Sequence, residues 1–191
     1  MGTTSRGVQE VDITSIVEQA KERVLVDGNH MPTIHVEFDS GELALALFAD
    51  LPETSYEKKL MFFGAGRKVG EAHKGKEARD ICLVVESWVS FVPYGEERKY
   101  AMPADDPDKI EALTVFRLQA MPGPEKSEIV SSMQSFEMIR HGDSIDLLAR
   151  EEIKQDVRNY SLNHFLIGIF SAEYTDQQLA EKIAEIGKSH D

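Results

Sequence analysis

The segment Thr33–Phe48 constrains the fold more than any other part of the chain. Thr33–Asp39 alternates, with Ile34, Val36 and Phe38 on one face and His35, Glu37 and Asp39 on the other. Ser40-Gly41 supplies turn chemistry, and Glu42–Phe48 runs back with Leu43, Leu45 and Leu47 on a common face. Successive strand side chains point to opposite faces, so a period of two reads as strand and not helix. Two such runs around a short turn are the signature of an antiparallel hairpin.

The flanking segments follow other periods. Ile13, Ile16, Val17, Ala20 and Val24 form a helical stripe; Asp12 is placed as its N-cap, Val11 and Ile16 as a hydrophobic staple, and Gly28 as its stop. A second helix begins near Asp50–Thr54, where Asp50…Glu53 and Thr54…Glu57 are both capping boxes, and runs to about Lys74. It contains Gly64, Gly66 and Gly70, each costing about 1 kcal/mol against Ala in a helix interior. The expected compensation is close packing of the Gly66/Gly70 face on a sheet. Strands are expected at Asp80–Val92, Ala112–Ala120 and Glu128–Arg140, with a short one at Ile145–Leu148. A long loop, Pro93–Lys109, joins the first two, and loops of this length are often functional. Ile153, Val157, Tyr160 and the apolar run Phe165–Phe170 read as helix, with a buried strand at His164–Ser171 as the alternative. A last helix is capped by Thr175…Gln178, carries Leu179, Ile183 and Ile186, and ends at Gly187.

The expected fold is therefore α+β. A single antiparallel sheet, built from a hairpin plus a three- or four-strand meander, has helices mostly on one face, in the order α-β-β-α-β-β-β-α-α. Residues 1–10 are expected to form a flexible N-terminal arm and residues 11–191 a single domain. The element order is similar to that of roadblock, longin and profilin-like domains, a likeness that bears on fold and not on function.

Composition narrows the function. With 41% hydrophobic and 29% charged residues among 191, the chain is ordinary globular material. Its 21 Lys+Arg against 34 Asp+Glu give a formal charge of −13, which argues against nucleic acid and anionic membranes as default partners. Cys82 is the single cysteine, so no intramolecular disulfide forms. No apolar run approaches the roughly 18 residues of a membrane helix. No signal-like segment opens the chain, and Arg6 stands where a myristoylation motif needs Ser or Thr. A cytoplasmic location is expected.

The charge is segregated. Lys58, Lys59, Arg67, Lys68, Lys74, Lys76 and Arg79, against Glu71 and Glu77, give seven minus two, or +5, leaving 14 bases and 32 acids, or −18, elsewhere. Arg67, Lys68, Lys74, Lys76 and Arg79 are accordingly candidates for docking an acidic protein surface, a second copy of the chain, or a small anionic ligand. Gly64-Ala-Gly66-Arg-Lys-Val-Gly70 resembles a phosphate-binding glycine loop, but its spacing is not Gly-x-Gly-x-x-Gly and it lacks a Gly-Lys-Ser/Thr ending.

Other candidates are individual groups. His35-x-Glu37-x-Asp39 places three metal-binding or acid/base groups on one strand face, about 6.5 Å apart. It is the catalytic candidate, against the plainer reading of a wetted strand face. Trp88 sits with Glu86 and Ser90 on the side opposite Val85 and Val89, a pointer to a pocket or interface. His141-Gly-Asp143 could pair a His with a carboxylate in a turn; His164 and Cys82 read as core or rim residues. No cofactor or metal is expected. The leading reading is a binding or interaction domain that self-associates through acidic and basic surfaces. The alternatives are an enzyme with a pocket under residues 93–109 and an anion or nucleotide sensor using residues 64–79.

Overall fold

The computed structural model describes residues 13–90, 99, 103–121, 128–150, 152–154, 159–175 and 177–178. The N-terminal arm and most of the expected last helix lie outside them. The elements are α1 (Ile13–Asp27), β1 (Thr33–Phe38), β2 (Leu43–Leu47), α2 (Ser55–Ala72), β3 (Ala78–Val89), β4 (Ile110–Met121), β5 (Glu128–His141), β6 (Ser144–Ala149), β7 (Ile153–Lys154) and α3 (Tyr160–Ser171), with one 3₁₀ turn at Pro103–Asp105. The strands form one sheet in the order β2-β1-β3-β4-β5-β6, and short β7 pairs with β5 beyond the end of β6. Every pairing is antiparallel.

The hairpin forms as its alternation requires, with Thr33 opposite Leu47 and Glu37 opposite Leu43. A four-strand meander, β3 to β6, completes the sheet on the other side of β1. The α+β class and single antiparallel sheet are as expected.

The faces of the sheet are covered unequally. On one, Ile16, Val17, Ala20 and Val24 of α1 pack on Cys82, Val84, Leu113, Val115, Phe136, Met138 and Ile145. On the other, Phe62 of α2 and Leu162, Phe165 and Ile169 of α3 pack on Ile34, Val36, Phe38, Phe48, Ile81 and Leu83. Fully burying such a side chain contributes about 1.5–3 kcal/mol. Two of the three described helices thus share a face.

Local chemistry decides the helix boundaries. Of the two capping boxes, the one at Thr54 is used: the Glu57 backbone N–H donates to Thr54 Oγ1 at 3.2 Å, and the Thr54 hydroxyl donates to the Glu57 carboxylate at 2.7 Å. Asn159 caps α3 by accepting from the Leu162 N–H at 2.9 Å. Helix therefore begins at Tyr160 and not at Ile153, which pairs with Met133 of β5 as strand. His164–Ser171 is helix, which removes the strand alternative. The Thr175…Gln178 box is formed, with the Thr175 N–H donating to Gln178 Oε1 at 2.9 Å.

Gly66 and Gly70 of α2 face a helix, not the sheet expected from the sequence. A Cβ on Gly66 would overlap the carbonyl oxygen of Phe165, and one on Gly70 would reach that of Ile169. From the other side, a Cβ on Gly168 of α3 would overlap the carbonyl oxygen of Phe63. Three missing side chains let two backbones touch, an approach that small residues at helix interfaces allow.

Candidate functional site

The site is the part of the sheet that α1 leaves bare. The buried cluster under α1 draws on β3 to β6, and none of its members comes from β1 or β2. The α1-facing side chains of the hairpin are Thr33, His35 and Glu37 on β1, opposite Leu47, Leu45 and Leu43 on β2. Leu43, Leu45 and Leu47 are 45%, 54% and 58% exposed, a row of apolar side chains in water. The alternate residues Ala44 and Ala46 pack against the core beneath α2 and α3. Beside the leucines lies a hollow of about 220 Å³, walled by Ile13 and Ile16 of α1, with Cys82 and His35 among its lining.

The polar groups around this hollow are chemically quiet. Burial pushes the His35 imidazole below its ordinary value, and the charges of His30 and Arg23 add to that, so the neutral ring is favoured. Its Nε2 lies 3.3 Å from Thr33 Oγ1. Burial pushes the Cys82 thiol up to about 12, which keeps it protonated and unreactive. Arg117 Nε donates to both carboxylate oxygens of Asp80 at 3.0 Å. The site is thus a largely apolar surface whose charged rim is Glu37 and Asp80, the latter paired with Arg117.

The backbone of β2 adds a second property. The Phe38 N–H donates to the Glu42 carbonyl at 2.9 Å, and the Phe48 N–H to the Pro32 carbonyl at 3.0 Å. Antiparallel ladders bond at alternate residues, so even-numbered residues of β2 bond toward β1. The N–H and C=O groups of Leu43, Leu45 and Leu47 therefore point away from the sheet. No strand among the described residues pairs with that edge. The opposite edge differs. Asp146 of β6 lies 3.3 Å from His141, Arg150 pairs with Glu137, and the chain leaves regular strand between Ala149 and Ile153. Charge and irregularity are standard ways of blunting an edge, and β2 carries neither.

The sequence candidates scatter around this surface. His35 and Glu37 share a strand face, but β1 ends at Phe38 with a register shift at Glu37/Phe38. Asp39 leaves the row there and accepts a hydrogen bond from the Glu77 N–H at 3.2 Å. The proposed trio is therefore broken by the bulge. No group of three His, Cys, Asp or Glu among the described residues is arranged to hold a metal ion.

The basic segment is spread along α2 and its exit. Arg67 pairs with Glu71 at 3.1 Å, and Lys76 pairs with Glu42, which also lies 3.1 Å from His73 Nδ1. Lys68, Lys74 and Arg79 are exposed. Lys74, Lys76 and Arg79 line a hollow with Leu118, Ile169 and Phe170, whose rim also carries Glu77 and Glu173. Gly64–Gly70 lies wholly inside α2, with its Gly66/Gly70 face taken by α3, so it forms no phosphate loop. Trp88 is half exposed beneath the Lys109 ammonium, 5.1 Å from the ring centroid. It lies on the α1 face and not on a separate polar side: it alternates in register with Val84 and Glu86. Much of the 93–109 loop lies outside the described residues. His164 sits in α3 and His141 opposite Ser144 at a turn.

Sequence reading passed over one polar cluster, partly buried at His30 and Glu86 and open to solvent at Arg140. The His30 N–H donates to the Glu86 carboxylate, whose pKa is raised chiefly by burial. Arg140 donates to both oxygens of Glu111 at 2.9 and 2.8 Å and to the Gly28 carbonyl at 3.1 Å, tying the end of α1 to β4 and β5. No local spacing signals this cluster, because its members come from four elements and loops far apart in sequence. The leucine row was visible as an alternation, but its exposure was not. No helix among the described residues is long and apolar enough to cross a membrane. No protein-family model matches the chain, and neither any curated protein nor any solved structure matches it.

Proposed function

We propose that this chain is a protein-interaction domain that receives an extended, apolar strand along the outer edge of β2. The observation that carries this reading is an uncharged edge strand, Leu-Ala-Leu-Ala-Leu, whose outward backbone groups no strand among the described residues pairs, with a half-exposed leucine row. Strand addition of this kind draws affinity from main-chain hydrogen bonds and specificity from alternate side chains. Here the specificity elements are the leucines and the hollow beside Ile13 and Ile16. Open apolar edges are aggregation sites, so an unblunted one in a folded domain supports a role in binding. The reading keeps the interaction domain expected from the sequence and moves its contact surface from charge to an apolar edge.

Panning a display library of random extended peptides against the wild-type protein and Leu45→Lys tests this. Wild type should enrich peptides that alternate large apolar and small residues, and Leu45→Lys should lose them while keeping its circular dichroism spectrum. No enrichment, or equal enrichment by both proteins, would defeat the proposal.

A further inference from the structure

The edge is also complementary to itself. Resting on the strand-addition reading, we infer that the strand β2 receives is β2 of a second copy, paired antiparallel about a two-fold axis through Leu45. The sequence Leu43-Ala-Leu45-Ala-Leu47 reads the same in both directions. A two-fold at Leu45 therefore sets leucine opposite leucine and alanine opposite alanine, with Leu43 facing Leu47 of the second copy. A shift of one residue would put leucines on the alanine face, so the side-chain pattern excludes it.

The backbone agrees with the same axis. The outward-pointing groups belong to the odd residues, so the pairs Leu43–Leu47, Leu45–Leu45 and Leu47–Leu43 are all hydrogen-bonded pairs. Each exchanges two bonds, about six in total, which satisfies every outward N–H and C=O of both strands. An axis through Ala44 or Ala46 also sets outward groups opposite one another, but it pairs only two leucines of each β2 with leucines of the other and makes about four bonds instead of six. On the α1 side the six leucines form one continuous apolar strip between the two hollows.

The hairpin that carries this edge is anchored to the body of the fold. On the other face, α2 lies over the hairpin, with Phe62 4.7 Å from Phe48 and His73 stacked 4.4 Å from Phe38, centroid to centroid. Glu42 would face Phe48 of the second copy, so no like charges meet across the paired strands. Five-residue strands make an interface at the small end of the range, for which micromolar association is the natural scale.

Sedimentation of wild type across a concentration series, together with cysteine cross-linking, tests the inference. Hydrogen-bonded antiparallel pairs have Cα atoms about 5.5 Å apart, inside the range a disulfide spans. Leu45→Cys should therefore oxidise to a covalent dimer under mild oxidant, while Ser15→Cys on the exposed face of α1 should not. The buried Cys82, with its pKa near 12, stays out of the reaction. Wild type should pass from monomer to dimer with concentration, and Leu45→Lys should stay monomeric. A wild-type monomer throughout, cross-linking of Leu45→Cys no faster than Ser15→Cys, or a dimer that persists in Leu45→Lys would each overturn it. Peptide enrichment without dimerisation would remove the second copy as partner and leave the interaction-domain reading standing.

Discussion

At the scale of single residues, His30 and His35 are the groups whose environment most changes what they do. Both sit near α1, and burial lowers both pKa values from 6.5, with Arg23 adding to each. Their folded values lie below their unfolded values, so the unfolded chain binds protons first as the pH falls. The stability they contribute is complete above about pH 6.5 and is lost as the pH drops through the folded values. Glu86 acts oppositely: burial raises its pKa above 4.5, so it favours the folded state as the pH approaches that region. Urea denaturation at about pH 7.5 and about pH 5.5 should show lower stability at the acid end, and the double variant His30→Gln/His35→Gln should flatten the slope. An unchanged slope in the double variant would assign the pH dependence to other groups. His35 was legible as a candidate because it alternates on a strand. Its quietness was not, because that depends on residues from α1 and β3 that only the fold brings near.

At the scale of elements, the decisive contact is α2 against α3. Two effects of opposite sign compete at its glycines. Replacing a helical Gly by Ala gains about 1 kcal/mol of helix propensity. Forcing a methyl into a packed contact costs about 1–3 kcal/mol and sometimes more. At Gly64 nothing lies within 4 Å of a new Cβ, so Gly64→Ala should stabilise by up to about 1 kcal/mol. At Gly66 the new Cβ meets the backbone of Phe165, so Gly66→Ala should destabilise by about 2 kcal/mol or more. Thermal melts of the two variants should move in opposite directions; a shared direction would mean that the helices do not touch at Gly66. The sequence shows that three glycines in a helix need compensation, since that penalty is local. It does not show that the compensation comes from α3, because Phe165 and Gly168 lie far along the chain. The same limit explains Ile153, whose apolar spacing fits a helix until β5 offers a ladder to pair with. It explains the trio too, where a bulge after Glu37 turns Asp39 out of a pattern that period-two counting keeps intact. Elements that answer to their own periodicity, α1 and the hairpin above all, were readable to within a residue or two.

At the scale of the whole molecule, charge and shape make competing demands on association. Each copy carries −13, so two copies repel one another at long range. Salt shortens that repulsion, with a screening length of about 10 Å at 0.1 M and about 3 Å at 1 M. Hydrogen bonds and leucine contacts at β2 are short-ranged and are not screened in this way. Pairing through β2 should therefore tighten as salt rises from about 20 mM to about 500 mM, whereas docking of an acidic surface on the Lys58–Arg79 segment should weaken. Sedimentation equilibrium at both concentrations separates the two, and a dimer that dissociates at high salt would favour the charged surfaces. The same unequal edges also set how far assembly can go. A sheet open on both sides can be extended without limit, like a fibre. On the strand-addition reading, with β6 charged and β2 the bare edge among the described residues, the domain has a valence of one. Once its single open edge is occupied, the growing sheet has no further place to add a strand, and the number of strands it can gain is fixed by geometry.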